Sequence, residues 1–152
     1  RVFTGDKSSE FLYKCLHKVK ISNQPNSNYA NDGLKLRNAF ITTALKCVPP
    51  EDKPLKDELD QCFNYFNQEI AQLKNLKIII ALGKIAFDAC KYFYKSNYGL
   101  QENIQFKHNK IFRLPNEMLL IGCYHPSPRN VNTGRINEKK MVLLFKKVLK
   151  LV

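Results

Sequence analysis

Lys77-Ile78-Ile79-Ile80-Ala81-Leu82-Gly83 is the stretch that decides the fold class. An unbroken apolar run of strand length, closed by a glycine, reads as a strand buried on both faces, at the centre of a parallel sheet. Gly83 turns the chain into a helix that faces Ile85, Ala86, Ala89, Cys90 and Phe93 inward. Upstream, a helix is expected over about residues 54–73. Pro54 suits its first turn, Asp57, Glu58 and Asp60 suit its positive end, and Leu59, Cys62, Phe63, Phe66, Ile70 and Leu73 form its apolar face. Residues 39–45 are apolar and β-branched, which predicts another buried strand, stopped by Pro49-Pro50. Downstream, a short strand is expected over 110–113 and a longer one over 118–124. A last helix over 137–151 buries Met141, Leu144, Phe145, Val148 and Leu151. Near the start, Phe11, Leu12, Cys15, Leu16 and Val19 recur at helical spacing behind Ser8 or Ser9 as cap. Residues 22–33 are polar and asparagine-rich, and read as a loop or flap. Strands alternating with helices imply an α/β layered fold.

The 152 residues suit one domain, taken as 1–152. The net charge of +12 favours a polyanionic partner, nucleic acid or an anionic membrane, over a merely solubilising lysine surface. No apolar run approaches the roughly 18 residues that span a bilayer. The opening Arg1-Val2-Phe3 carries no charged-then-apolar leader and no initiator Met, so further chain is expected upstream. Five cysteines, an odd number, point to a reducing, intracellular compartment. Cys15, Cys90 and Cys123 lie in apolar patterns and read as core. Cys47 and Cys62 lie in different elements, and two cysteines alone do not make a four-ligand metal site.

Chemistry in α/β proteins gathers at strand ends. The segment 125–135 offers His125, Ser127, Arg129, Asn130, Asn132, Thr133 and Arg135 on a turn stiffened by Pro126 and Pro128. Such a turn can grip a phosphate backbone, or simply be a polar loop holding a satisfied histidine. Asp6, in a Thr-Gly-Asp turn, can orient water, bind a base edge or cap the next helix. Phe3 beside it can stack on a base or anchor the loop. His17 and His108 have no constellation around them. A phosphate-binding Gly-x-x-x-x-Gly-Lys-Ser/Thr loop is absent, which disfavours a nucleotide-binding enzyme.

Gly122-Cys123-Tyr124-His125-Pro126-Ser127-Pro128-Arg129-Asn130-Val131-Asn132-Thr133-Gly134-Arg135 resembles the catalytic loop of the iron–sulfur, type B (family 5) uracil-DNA glycosylases. Arg1-Val2-Phe3-Thr4-Gly5-Asp6 resembles the segment that follows that family's first motif. Asp32-Gly33-Leu34-Lys35-Leu36-Arg37-Asn38-Ala39-Phe40-Ile41-Thr42 and Lys46-Cys47-Val48-Pro49-Pro50-Glu51-Asp52-Lys53-Pro54 resemble its central stretch, and Ile80-Ala81-Leu82-Gly83 its next strand and turn.

The resemblance implies a three-layer α/β/α sandwich with a central, mainly parallel sheet of about four strands. It implies a monofunctional glycosylase that releases uracil, and other deaminated bases such as hypoxanthine, from double- or single-stranded DNA to start base excision repair. In that reading His125 stabilises the leaving base, and Asp6 or Asp52 contacts the base or orients water. Phe3 stacks on the flipped base. Thr43, Ser127, Asn130, Arg129 and Arg135 contact the substrate, the arginines at phosphates. Cys47 and Cys62 supply two of the four [4Fe–4S] ligands, the other two lying in an N-terminal segment upstream of Arg1. Thr43 stands where related type A enzymes carry an asparagine that reads uracil. Asp52 stands where an asparagine is common, exchanging donor capacity for acceptor capacity. The protein is expected to be an intracellular, cytoplasmic or nucleoid-associated monomer without membrane attachment. The alternative is a basic DNA-binding module without catalysis.

Overall fold

Ile78–Leu82 forms a strand, β1, in a computed structural model that describes residues 1–44, 46 and 56–152. The elements around it run in chain order as α1 (Lys7–Lys18), α2 (Lys56–Gln72), β1, α3 (Lys84–Tyr98), β2 (Ile111–Arg113), β3 (Leu119–Cys123), α4 (Pro128–Asn132) and α5 (Glu138–Leu149). The chain is therefore of the α/β class. It divides into two compact units, one of Arg1–Thr42 with Tyr124–Val152, the other of Thr43–Cys123.

The second unit holds the sheet, in the order β1-β3-β2. β1 and β3 are parallel, with Ile78 opposite Leu119 and Leu82 opposite Cys123, while β2 runs antiparallel to β3. The described residues thus give three strands rather than about four, and β3 rather than β1 is the centre. Burial follows that order: Leu120, Ile121 and Cys123 of β3 are fully buried, whereas β1 buries only Ala81 to the same degree. Gly122 is required in β3 by close packing. A Cβ there would lie 2.6 Å from the Lys107 carbonyl oxygen.

Gly83 ends β1 at φ 98°, a left-handed conformation that glycine adopts without a Cβ penalty, and its N–H donates to the Cys123 carbonyl at 2.7 Å. The helix that follows, α3, buries Phe87, Cys90, Phe93 and Tyr94. Ile85, expected inside, is 49% exposed. The aromatic positions at 87, 93 and 94 set the buried stripe one position round from the aliphatic one. Phe87 meets Phe106 and Phe112 edge-on, and Phe66 of α2 meets Phe93 edge-on. Burial pushes the Cys90 thiol up to about 12, so it is an inert filler.

In the first unit α1 packs on α5. Leu12, Cys15 and Leu16 are buried on α1, and Met141, Leu144, Phe145 and Val148 on α5. Each fully buried aliphatic side chain of this kind contributes about 1.5–3 kcal/mol. Glu138, in the first turn of α5, ties the two helices by ion pairs to Lys14 at 3.0 Å and to Lys18. Cys15 is also core, its thiol pushed up to about 11, chiefly by burial. Leu151 lies past the helix end and is 45% exposed rather than buried.

Residues 39–44 are not a strand. The preceding chain is bridged to the end of α1 through Ser22 and Leu36, with the Arg37 N–H on the Ile21 carbonyl at 2.8 Å. Asn38 then takes a left-handed φ of 50°. Residues 39–44 continue as irregular chain, and Phe40 is 58% exposed. β-branched composition reports what fits a pleated surface and does not by itself make a strand. Leu45, Pro49, Pro50 and Pro54 lie outside the described residues. Among the described residues no helix is long and apolar enough to cross a membrane.

Candidate functional site

The segment that follows β3 is more ordered than a loop. Ser127 caps α4 by accepting the Asn130 N–H at 3.4 Å, and Pro128 occupies the first turn, where its missing N–H costs nothing. The Asn130 side-chain amide donates to the His125 carbonyl at 2.9 Å. The Ile136 N–H returns to the Asn130 carbonyl at 3.2 Å, and Thr133 Oγ1 donates to the Arg129 carbonyl at 2.8 Å. Lys140 Nζ, reaching from α5, donates to the Gly134 carbonyl at 2.8 Å and the Arg135 carbonyl at 3.4 Å. Pro126 and Ile136 are fully buried and anchor both ends. Ser127 and Asn130, expected at substrate, therefore also hold the turn that carries His125. Arg129 and Arg135 are exposed.

His125 is half-buried. Burial pushes its pKa below the ordinary 6.5, and the Asp6 carboxylate pulls partway back. The imidazole is neutral at pH 7, and a neutral ring still donates one N–H. Phe3 lies beside it, with ring centroids 5.7 Å apart and planes inclined by 31°. Phe3 has φ 53°, a left-handed conformation that is costly for an aromatic residue.

Asp6 caps α1. Its Oδ1 accepts the Ser9 N–H at 2.7 Å, while the Asp6 N–H donates to Ser9 Oγ at 3.1 Å. The cap is thus Asp6, with Ser9 as its reciprocal partner three residues on, rather than Ser8 or Ser9 itself. The carboxylate is exposed, and only Oδ1 is taken by the cap.

Phe3, Asp6, His125, Ser127, Arg129, Asn130 and Arg135 all belong to the first unit. Thr43 begins the second unit and is half-buried in an irregular segment. Asp52 and Cys47 lie outside the described residues. Cys62 is buried in α2, and its sulfur accepts the Lys46 N–H at 3.3 Å. Lys46 Nζ also donates to both carboxylate oxygens of Glu69, about two turns further along α2, at 2.7 Å. The residue before Cys47 is therefore clamped beside Cys62. Among the described residues no group of three or more His, Cys, Asp or Glu side chains is placed to hold a metal ion. A depression of about 600 Å³ between residues 102–107 and 110–113 contains none of the residues expected at a site.

Sequence reasoning missed the residues that support the site. Arg1, two residues before Phe3, donates to both Ser27 and Asp32. The Asp32-Gly33 turn pair within an asparagine-rich segment was the available sign.

A strand-end histidine on a proline-stiffened turn thus lies beside an aromatic ring, with an aspartate near enough to act on its charge. The chain belongs to the uracil DNA glycosylase superfamily, whose family description matches residues 1–149. Its relatives include the type-5 uracil-DNA glycosylase of Thermus thermophilus, 35% identical over 140 residues, or 91% of this chain and 62% of that protein. The type-5 uracil-DNA glycosylase of Pyrobaculum aerophilum is 31% identical over 97% of this chain and 62% of its own length. The type-4 uracil-DNA glycosylase of Archaeoglobus fulgidus is 24% identical over 64% of this chain. The chain thus spans about three fifths of the length of the type-5 relatives.

Proposed function

We propose that the protein of which residues 1–152 form the catalytic domain hydrolyses the N-glycosidic bond of uracil, and of hypoxanthine, in DNA. The observation that carries this is the Phe3–His125 pair: a strained aromatic held 5.7 Å from a neutral, half-buried imidazole. A base inside a duplex must leave the stack before it can be cut, and a flipped base needs a flat apolar surface. Phe3 supplies that surface. As the glycosidic bond breaks, the electron pair goes to the base, and a positioned N–H donor stabilises the developing anion. His125 is that donor and abstracts no proton. The exposed Asp6 carboxylate orients the water that adds to the sugar and favours its cationic character. Asp52 is the second acidic candidate, and Thr43 borders the base. Arg129 and Arg135 hold phosphates on either side, with Ser127 and Asn130 presenting the turn to the backbone.

No lysine is singled out as a nucleophile, so the product is an uncut strand with an abasic site, the substrate of base excision repair. The protein acts as an intracellular monomer on double- or single-stranded DNA. Cys62 and Cys47 would supply two of the four ligands of a [4Fe–4S] cluster. The buried sulfur that accepts the Lys46 N–H supports this, since backbone N–H bonds to cluster sulfurs tune such centres. When bound, the cluster cross-links the segments that ligate it.

The test is release of free base by the full-length protein from duplexes carrying uracil, hypoxanthine or no lesion, with the strands then run under denaturing conditions. Lesion-dependent release with uncut strands is expected. Equal binding to damaged and undamaged duplex without release would favour the rival reading, a basic DNA-binding module, which the net charge of +12 supports.

A further inference from the structure

We infer that Asp32 is a positioning residue: through Arg1 and Ser27 it locks Phe3 in its left-handed conformation against His125. The inference rests on the glycosylase reading only for its consequence in catalysis, not for the latch itself.

The argument starts from a cost. A phenylalanine at φ 53° carries roughly 1–3 kcal/mol of backbone strain, and such a conformation persists only where its surroundings over-determine it. Phe3 is fixed at both flanks. Before it, Arg1 Nη2 donates to Asp32 Oδ1 at 2.7 Å, to Ser27 Oγ at 2.9 Å and to the Tyr29 carbonyl at 2.8 Å. After it, Thr4 Oγ1 meets Ser27 Oγ at 3.0 Å, and the Gly5 N–H donates to the Ser27 carbonyl at 2.8 Å. Every one of these bonds ends on the segment 27–32. Val2 and Phe3 are the two residues between the sets.

That segment is itself closed into a loop. Its neck is the Ser22–Leu36 bridge, reinforced by the Asn23 N–H on the Lys35 carbonyl at 3.1 Å and the Lys35 N–H on Asn23 Oδ1 at 2.7 Å. A compact loop with joined ends is a stiff carrier. Asp32 organises its interior: Oδ2 accepts the Asn28 N–H at 2.7 Å, and Oδ1 accepts the Leu34 N–H at 3.1 Å as well as Arg1. The Asp32 side chain is 5% exposed and Ser27 is 2% exposed, while the Arg1 side chain keeps 25% of its surface, so the arginine lies over two covered acceptors at the protein surface. One carboxylate thus shapes the loop and anchors the arginine that fixes the Phe3 backbone.

Asp32→Asn tests this. Both oxygens of Asp32 accept, so an amide must turn a donor toward either the arginine or the Asn28 N–H. Two readouts are needed on the full-length protein. The first is the NMR resonance of the His125 ring protons, which a neighbouring aromatic ring shifts. In Asp32→Asn that resonance is expected to move to its position in Phe3→Ala. An unmoved His125 resonance in a folded Asp32→Asn protein overturns the latch, whatever the protein does to uracil. The second is kcat/KM for uracil release in a double-mutant cycle. Stacking on one aromatic is worth about 1–3 kcal/mol, or roughly 5–150-fold, so each single variant should lose within that range. The double variant Phe3→Ala/Asp32→Asn should lose no more than Phe3→Ala alone. Additive losses would mean that Asp32 acts through something other than Phe3, and overturn the proposal. If the wild-type protein releases no base, the glycosylase reading fails, while the resonance still decides the latch. Should Asp32→Asn not fold, Ser27→Ala removes the hydroxyl shared by Arg1 and Thr4 while keeping the carbonyl that holds Gly5. The same shift and the same non-additivity are expected of it.

Discussion

Asp6 carries two roles that a pair of substitutions separates. As the cap of α1 it accepts the Ser9 N–H at 2.7 Å, and as a carboxylate it places a negative charge near His125. Asparagine caps a helix as well as aspartate does, whereas alanine leaves the Ser9 N–H without its acceptor. Ser9 is fully buried, so water cannot replace that acceptor cheaply. Asp6→Ala should therefore cost about 1 kcal/mol, within the 0.5–2 typical of lost caps. In a chain of this size that lowers the midpoint of thermal unfolding by roughly 2–4 °C. Asp6→Asn should melt within about a degree of the wild type. Base release should sort differently. If the carboxylate orients water and steadies the cationic sugar, both variants lose about 100-fold or more in single-turnover rate. The assay is release of uracil from a labelled duplex with enzyme in excess, alongside calorimetric melting of the same preparations. An Asp6→Asn protein with wild-type rate would refute the catalytic part and leave Asp6 as a cap alone.

His125 has its pKa pushed below 6.5 by burial, so the competent neutral ring persists through neutral pH and activity falls only on the acid side. Because Asp6 raises that pKa, a pH–rate profile of Asp6→Asn should show its acid limb at still lower pH, and a limb moved upward would contradict the assignment. The unfolded chain takes up this proton at higher pH than the folded one, so His125 also lowers stability as pH falls through 6.5. Gly122→Ala would force a Cβ to within 2.6 Å of the Lys107 carbonyl, and should destabilise by about 1–3 kcal/mol in denaturant titration. Cys62→Ser in the full-length protein should lower iron bound per chain, measured by metal analysis. Unchanged iron content would remove Cys62 from the ligand set.

The α/β class was legible because a fully apolar run followed by glycine has few other solutions, and β1, Gly83 and α3 fell where that run placed them. The centre of the sheet was not. β1 and β3 are both apolar, and only pairing decides which one lies between two neighbours. Residues 39–44 misled because β-branched composition reports what fits a pleated surface, not whether one is present. His125, Phe3 and Asp6 were legible as strand-end and turn chemistry, and all three fall in the first unit. The Asp32–Arg1–Ser27 knot was not, since its contacts span 26 to 31 residues and nothing local marks them. Capping is one of the roles open to Asp6 in its Thr-Gly-Asp turn, but its reciprocity with Ser9 needs the backbone angles to be seen.

The most direct test of the central claim is His125→Ala in the full-length protein, compared with wild type for single-turnover release of uracil and for binding of the same duplex. Loss of a preorganised donor to the leaving base predicts a fall of about 100-fold or more in release, with binding little changed. Release that survives the substitution, or a wild-type protein that binds the lesion and frees no base, would contradict it.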